Sequence, residues 1–209
     1  SQFLDRAPQY AARRNYVDPA LSGVSRLSPY IRRRALSEER VLSQTLNRYP
    51  FRKVEKFIQE VVWRTYWKGW LQARPWVWES YLEDLERLSG EGSAQAARFD
   101  KQVLQQALTA TTQLEYFNSW VMELRTTGYL HNHVRMWFAS IWIFTLGLPW
   151  QLGAKFFLEH LVDGDPAANT LSWRWVAGLQ TPGKRYVASA GNIRRYTEYR
   201  WSPHEHELC

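Results

Sequence analysis

Apolar residues in this 209-residue chain recur at intervals of three and four, and nowhere does apolar–polar alternation run long enough to build a sheet. Val54 to Leu71 shows the pattern clearly, with Phe57, Ile58, Val61 and Val62 at helical spacing. Helices with one apolar stripe must bury it against one another, which predicts an all-α fold: one helical bundle over residues 1–209. Ser28-Pro29 reads as an N-cap followed by proline at the first helical position. Ser37 marks a second start, where Glu38 and Glu39 suit the positive end of the helix dipole. Further helices are predicted over Trp76 to Leu88, Ala94 to Thr109, Tyr116 to Thr126, Leu130 to Leu146 and Lys155 to Val162, and from Asp165-Pro166 into Trp175. Gly147 with Pro149 beyond it closes one of them. Ser89-Gly90-Glu91-Gly92-Ser93 is the clearest loop. Residues 1–28 and 179–209 read as irregular and basic.

Aromatic content is the unusual feature: 12 Trp, 11 Tyr and 9 Phe. Such rings can fill a core, line a pocket for a flat ligand, or stack on bases. Lys and Arg number 27 against 20 acids, a net charge of +7 that suits a polyanion such as DNA. The lone Cys209 excludes an intrachain disulfide and fits a reducing, cytoplasmic setting. No signal peptide is visible. The longest apolar stretch, Met136 to Leu148, is shorter than the roughly 20 residues that cross a bilayer, so no membrane association is expected.

Four clusters could carry chemistry. On the Val54 to Leu71 helix, Phe57, Glu60, Arg64 and Trp67 share a face, and Glu60 and Arg64 stand four apart, where they can pair. That is either a surface ion pair or a charged pair lining a pocket. Gly23-Val24-Ser25-Arg26-Leu27-Ser28-Pro29 gathers hydroxyls, an arginine and backbone N–H groups at a helix start, which suits a phosphate, although Ser-Pro caps are common. In Tyr129-Leu130-His131-Asn132-His133-Val134-Arg135-Met136, polar groups converge where an apolar helix begins. Histidines two apart diverge on a helix, so zinc is not expected there, and His204-Glu205-His206 near Cys209 is only a slightly better cluster; no metal is predicted. Asp163-Gly164-Asp165 opens like a calcium loop but lacks the glycine and closing glutamate. Capping explains Asp165, not both carboxylates.

In order and spacing these clusters resemble the FAD-binding domain of the photolyase/cryptochrome family. His131-Asn132, Arg135-Met136, Asp163-Gly164-Asp165-Pro166-Ala167-Ala168-Asn169 and Trp173-Arg174-Trp175 carry its signature across Tyr129 to Gly178. Tyr10 with Arg14-Asn15, Ser25-Arg26-Leu27-Ser28, and Glu60-Val61-Val62-Trp63-Arg64 match more loosely. The resemblance implies a folded FAD inside the bundle, with Tyr10, Phe57 and Tyr129 among its contacts. Ser25, Arg26, Leu27 and Ser28 would hold its diphosphate and Arg64 its polar edge. Asn132 would lie near flavin N5, Arg135 would pair with Asp163 over the ring, and Asp165 and Asn169 would hydrogen-bond the isoalloxazine and adenosine portions.

The family's chemistry is blue-light electron transfer from reduced FAD to a cyclobutane pyrimidine dimer flipped out of DNA. By resemblance Glu60, Trp63, Met136 and Trp175 would meet the dimer, and Trp173 and Trp150 would relay electrons that photoreduce the flavin. A third relay tryptophan is not assigned. Departures from the pattern include Phe57 and Tyr129 at tryptophan positions, and His133 at the position of a lesion-contacting arginine. The α/β antenna domain that usually precedes such a domain is not seen, so light harvesting would fall to FAD itself or to a second chain. The resemblance thus leaves open a minimal photolyase, a cryptochrome-like photosensor that signals through a partner, or a helical module without flavin.

Overall fold

Proline and side-chain caps decide where most helices begin. The computed structural model describes residues 2–89 and 99–208. Among these it contains eleven α-helices and no strand. They are α1 (Tyr10–Arg13), α2 (Ser28–Arg32), α3 (Glu38–Leu46), α4 (Phe51–Gln72), α5 (Pro75–Ser89), α6 (Lys101–Thr109), α7 (Glu115–Thr127), α8 (Asn132–Ser140), α9 (Trp150–His160), α10 (Pro166–Val176) and α11 (Ala190–Tyr196). Ser37 caps α3 by accepting from the Arg40 amide, and Asp165 caps α10 by accepting from Ala167 and Ala168.

Several expectations are corrected. Ser28 is the first residue of α2, not its cap, and Leu27 before it makes no side-chain cap bond. The helix predicted from Ala94 begins at Lys101, where Asp100 accepts from the amides of Gln102 and Val103; Ala94 itself lies outside the described residues. Gly90-Glu91-Gly92-Ser93 and Cys209 also lie outside them. Helix α9 starts five residues early, at Trp150, because Pro149 stands extended before it, and it stops at His160. The apolar run predicted as one helix to Leu146 is α-helical only to Ser140, then π-helical over Ile141–Thr145. The N-terminal segment is not irregular throughout: a 3-10 turn over Leu4–Gln9 leads into α1. Likewise α11 lies within 179–209; the Ser189 hydroxyl accepts from Asn192 and Arg194 and Arg195 suit its C-terminal end.

Two buried clusters form. The smaller packs Val54, Phe57, Ile58 and Val61, one stripe of α4, against Phe3, Ala7, Ile31 and Val41. The larger is built on α7 to α11 and includes Trp120, Trp137, Phe138, Trp142 and Trp173. Each such ring removes roughly 150–250 Å² from water, so these few side chains dominate the apolar stabilisation. Their indole N–H groups are put to use: Trp137 donates to Asn192 on α11 at 2.9 Å and Trp142 to the Pro149 carbonyl at 2.9 Å. Gly153 lets α9 approach these rings, since a Cβ there would stand 2.6 Å from Cζ3 of Trp173. Helix α10 packs on α4, α8 and α9 and joins the two clusters.

Candidate functional site

Between the clusters lies a cavity of about 800 Å³, within the size of small-molecule sites. It is walled by α4, by residues 24–28, by the start of α8, and by the 163–165 turn leading into α10. Beyond Val61 no residue of α4 is buried in the core, and Trp63 and Arg64 line the cavity instead.

All the residues expected to touch a cofactor are brought to this wall: Tyr10, Ser25, Arg26, Leu27, Ser28, Phe57, Glu60, Arg64, Tyr129, Asn132, Arg135, Asp163, Asp165 and Asn169. Trp63, Met136, Trp173 and Trp175 line it too. Two expected residues do not. His133 points the other way, with Nδ1 3.0 Å from the Asn15 carbonyl and its ring stacked 4.4 Å from Trp137. The cause is helical geometry, because neighbours of His133 on α8, Asn132 and Arg135, take the cavity face. Trp150 stacks on Tyr81 at 5.5 Å, whereas the indole in ring contact with Trp173 is Trp142, at 6.3 Å.

The electrostatics centre on two pairs. Arg135 donates to Asp163 at 3.0 Å and to the Leu130 carbonyl at 2.9 Å, and its guanidinium lies 5.3 Å from the Tyr129 ring centre. Burial raises the pKa of Asp163, but the Arg135 charge and hydrogen bond, with help from the Ser28 hydroxyl, outweigh it and hold the carboxyl below its ordinary value. The expected Glu60–Arg64 pair does not form. Glu60 pairs instead with Arg14 of the segment after α1 and with Lys56, 3.1 Å away. A partner 46 residues distant cannot be read from helical spacing. Tyr10 packs beside this pair, and burial followed by the Glu60 charge pushes its pKa up to about 12.

With Arg14 occupied, Arg64 presents buried Nε and Nη2 atoms that have no partner among the described residues; Trp173 Nε1 and Gln180 Oε1 are in the same state on the same wall. Buried donors and acceptors of this kind call for a ligand with polar edges. A folded dinucleotide with a flat heteroaromatic ring fits: Arg64, Gln180 and Asn132 offer hydrogen bonds, and Arg135 with Asp163 offers charge beside a plane. Asn169 already donates one Nδ2 hydrogen to the Ala154 carbonyl at 2.9 Å, which leaves its side-chain oxygen and the second N–H for such a ligand. Arg14 and Gln180 also line the cavity and were missed as site residues; only Arg14 carried a signal, as part of Arg14-Asn15. Among the described residues no three His, Cys, Asp or Glu side chains gather as a metal site, and no helix is long and apolar enough to cross a membrane.

His131, the α8 cap, gives a pH test. Burial first, then the neighbouring His133 and Arg135, lower its pKa from 6.5 to about 4. Between those values the unfolded chain binds the extra proton, so stability is complete above pH 6.5 and is lost as pH falls toward 4. The shift corresponds to about 3 kcal/mol. Urea unfolding at about pH 7 and about pH 5 is expected to show the loss, and His131→Asn, which keeps a capping side chain, is expected to flatten it. Equal slopes for the two proteins would rule His131 out as the source.

Comparison with known proteins agrees with the geometry. Residues 57–199 match the family model described as the FAD binding domain of DNA photolyase. A deoxyribodipyrimidine photo-lyase of Thermus thermophilus is 30% identical over 185 residues, covering 88% of this chain and 42% of that protein. One of Alkalihalophilus pseudofirmus is 29% identical over 182 residues, covering 87% and 36%. The chain therefore spans about two-fifths of the length of these relatives. A class III photolyase structure from Agrobacterium tumefaciens superposes with a TM-score of 0.72 at 25% identity, over 93% of this chain and 40% of that one. A Synechocystis cryptochrome shares the fold, with a TM-score of 0.70 at 24% identity over 92% and 40%. The chain belongs to the photolyase/cryptochrome family, as a helical FAD-binding domain.

Proposed function

We propose that the cavity holds FAD and that the chain uses it for light-driven electron transfer to a cyclobutane pyrimidine dimer in DNA. The observation that carries this reading is that Glu60, Trp63, Asn132, Met136 and Trp175 line the same cavity as the Arg135–Asp163 pair, with Trp63 and Trp175 still exposed at 43% and 37%. Bound FAD, once reduced, supplies an electron on absorbing blue light. The chain's own residues do the rest. Arg135 and Asp163 would hold charge beside the flavin, Arg64 would donate a hydrogen bond to it, and Ser25, Arg26, Leu27 and Ser28 would hold its diphosphate. Trp63 and Trp175 offer apolar walls to an extruded pyrimidine dimer. Both cations on Glu60 contact Oε1, so Oε2 is the oxygen that accepts from a pyrimidine N–H.

Reduced FAD-loaded protein under blue light is expected to restore a dimer-containing oligonucleotide. Glu60→Gln should slow this by about tenfold or more, the worth of a charge-assisted hydrogen bond, without loss of flavin. Failure of the wild-type protein to restore any dimer would end the repair reading. One feature favours a photosensory role instead: His133, at a lesion-contacting position, turns into the core. Light-induced reduction without repair is the outcome that role predicts.

A further inference from the structure

Past Val61, helix α4 sets Trp63, Tyr66, Trp67 and Trp70 at i, i+3, i+4 and i+7, a single stripe about 100° wide. Stripes of this size ordinarily face a core, yet this one faces the cavity and its surroundings. Tyr66 is 50% exposed, and Trp67 and Trp70 are half-buried. The rings form a ladder. Trp63 stacks on Trp67 at 5.3 Å, and Tyr66 stands edge-on to them at 5.0 and 5.4 Å. The Arg74 guanidinium sits 4.5 Å from the centre of Trp70. Across the cavity stand Trp175 and Gln180.

Charge separates the partners such a ladder could meet. Val61 to Trp78 contains Arg64, Lys68 and Arg74 but no acid, and the cavity wall as a whole carries Arg14, Arg26, Arg64 and Arg135 against Glu60, Asp163 and Asp165. Among the described residues, the carboxylate that pairs with Lys68 is Glu38 of α3, at 3.6 Å. Aromatic rings alone would suit an apolar protein surface, but rings interleaved with cations along their own helix suit a polyanion with flat groups. In a duplex both faces of every base are already stacked, so these rings can serve only bases freed from pairing.

We propose that Tyr66, Trp67 and Trp70 form a stacking platform for unpaired nucleotides next to the one that enters the cavity, so that the protein prefers single-stranded to duplex DNA. This rests on the DNA-acting reading above. The test is fluorescence anisotropy of FAD-loaded protein in the dark, with a dye-labelled oligothymidylate and with a duplex of equal length, at one fixed salt concentration. Wild-type protein is expected to bind the single strand more tightly. Trp67→Ala and Trp70→Ala should each weaken that binding about fivefold or more and change duplex binding by less than roughly twofold. Trp70→Phe, which keeps a ring, should retain most of the affinity. Far-UV circular dichroism and flavin content verify that each variant is folded. If the alanine variants weaken neither DNA, or both equally, the platform is wrong while DNA action stands. If the wild-type protein binds neither DNA, both fall. Should it instead form a dimer that Trp67→Ala dissociates, the stripe is a contact between two copies of this chain.

Discussion

Replacing Trp173 with phenylalanine is expected to leave flavin bound and to reduce its photoreduction to the level of a dark control. Trp173 lines the cavity at 2% exposure, packed edge-on to Phe157 at 5.1 Å, Phe138 at 6.4 Å and Trp142 at 6.3 Å. Its Nε1 has no partner among the described residues, so phenylalanine removes no structural hydrogen bond. The change leaves a small void that costs about 1–3 kcal/mol, modest for a site inside a close-packed wall. What it does remove is an indole, which gives up an electron far more readily than a phenyl ring. Absorbance changes under blue light with an external reductant measure the effect. Unaltered photoreduction would mean that electrons enter by another ring.

Asp163→Ala is expected to weaken both the fold and the flavin. Asp163 is 4% exposed and is the hydrogen-bonded partner of Arg135. Removing one partner strands the other charge, at a cost of roughly 3–5 kcal/mol when the pair is fully buried. The Arg135 side chain is 23% exposed, which places the expected loss at the low end. A double variant, Arg135→Met with Asp163→Leu, separates structure from binding. An apolar pair of similar volume should recover much of the stability, measured by urea unfolding without cofactor. It should not recover flavin. Recovery of flavin by the apolar pair would show that the ion pair serves the fold alone.

Local chemistry was legible in the sequence, and long-range pairing was not. The run from Asp163 to Asn169 disclosed the Asp165 cap and the cavity turn, because both depend on residues a few positions apart. Spacing on α4 correctly put Glu60 and Arg64 on one face, but Arg14 reaches Glu60 from 46 residues away and takes it. Trp142 was hidden inside an apolar run whose helix widens to a π turn, a change that periodicity does not signal. Helix α11 escaped notice because it has only one apolar core residue besides alanine, Ile193, within seven positions. His133 was placed in the site by its position in a motif, whereas two residues from His131 it follows its own direction into the core.

The most direct measurement is the flavin content of the purified chain after incubation with FAD and removal of the free cofactor by gel filtration. One FAD per chain, with a sharpened flavin band that Asp163→Ala diminishes, is the expected result. A colourless protein that lets all of the FAD elute separately would contradict the reading of the cavity.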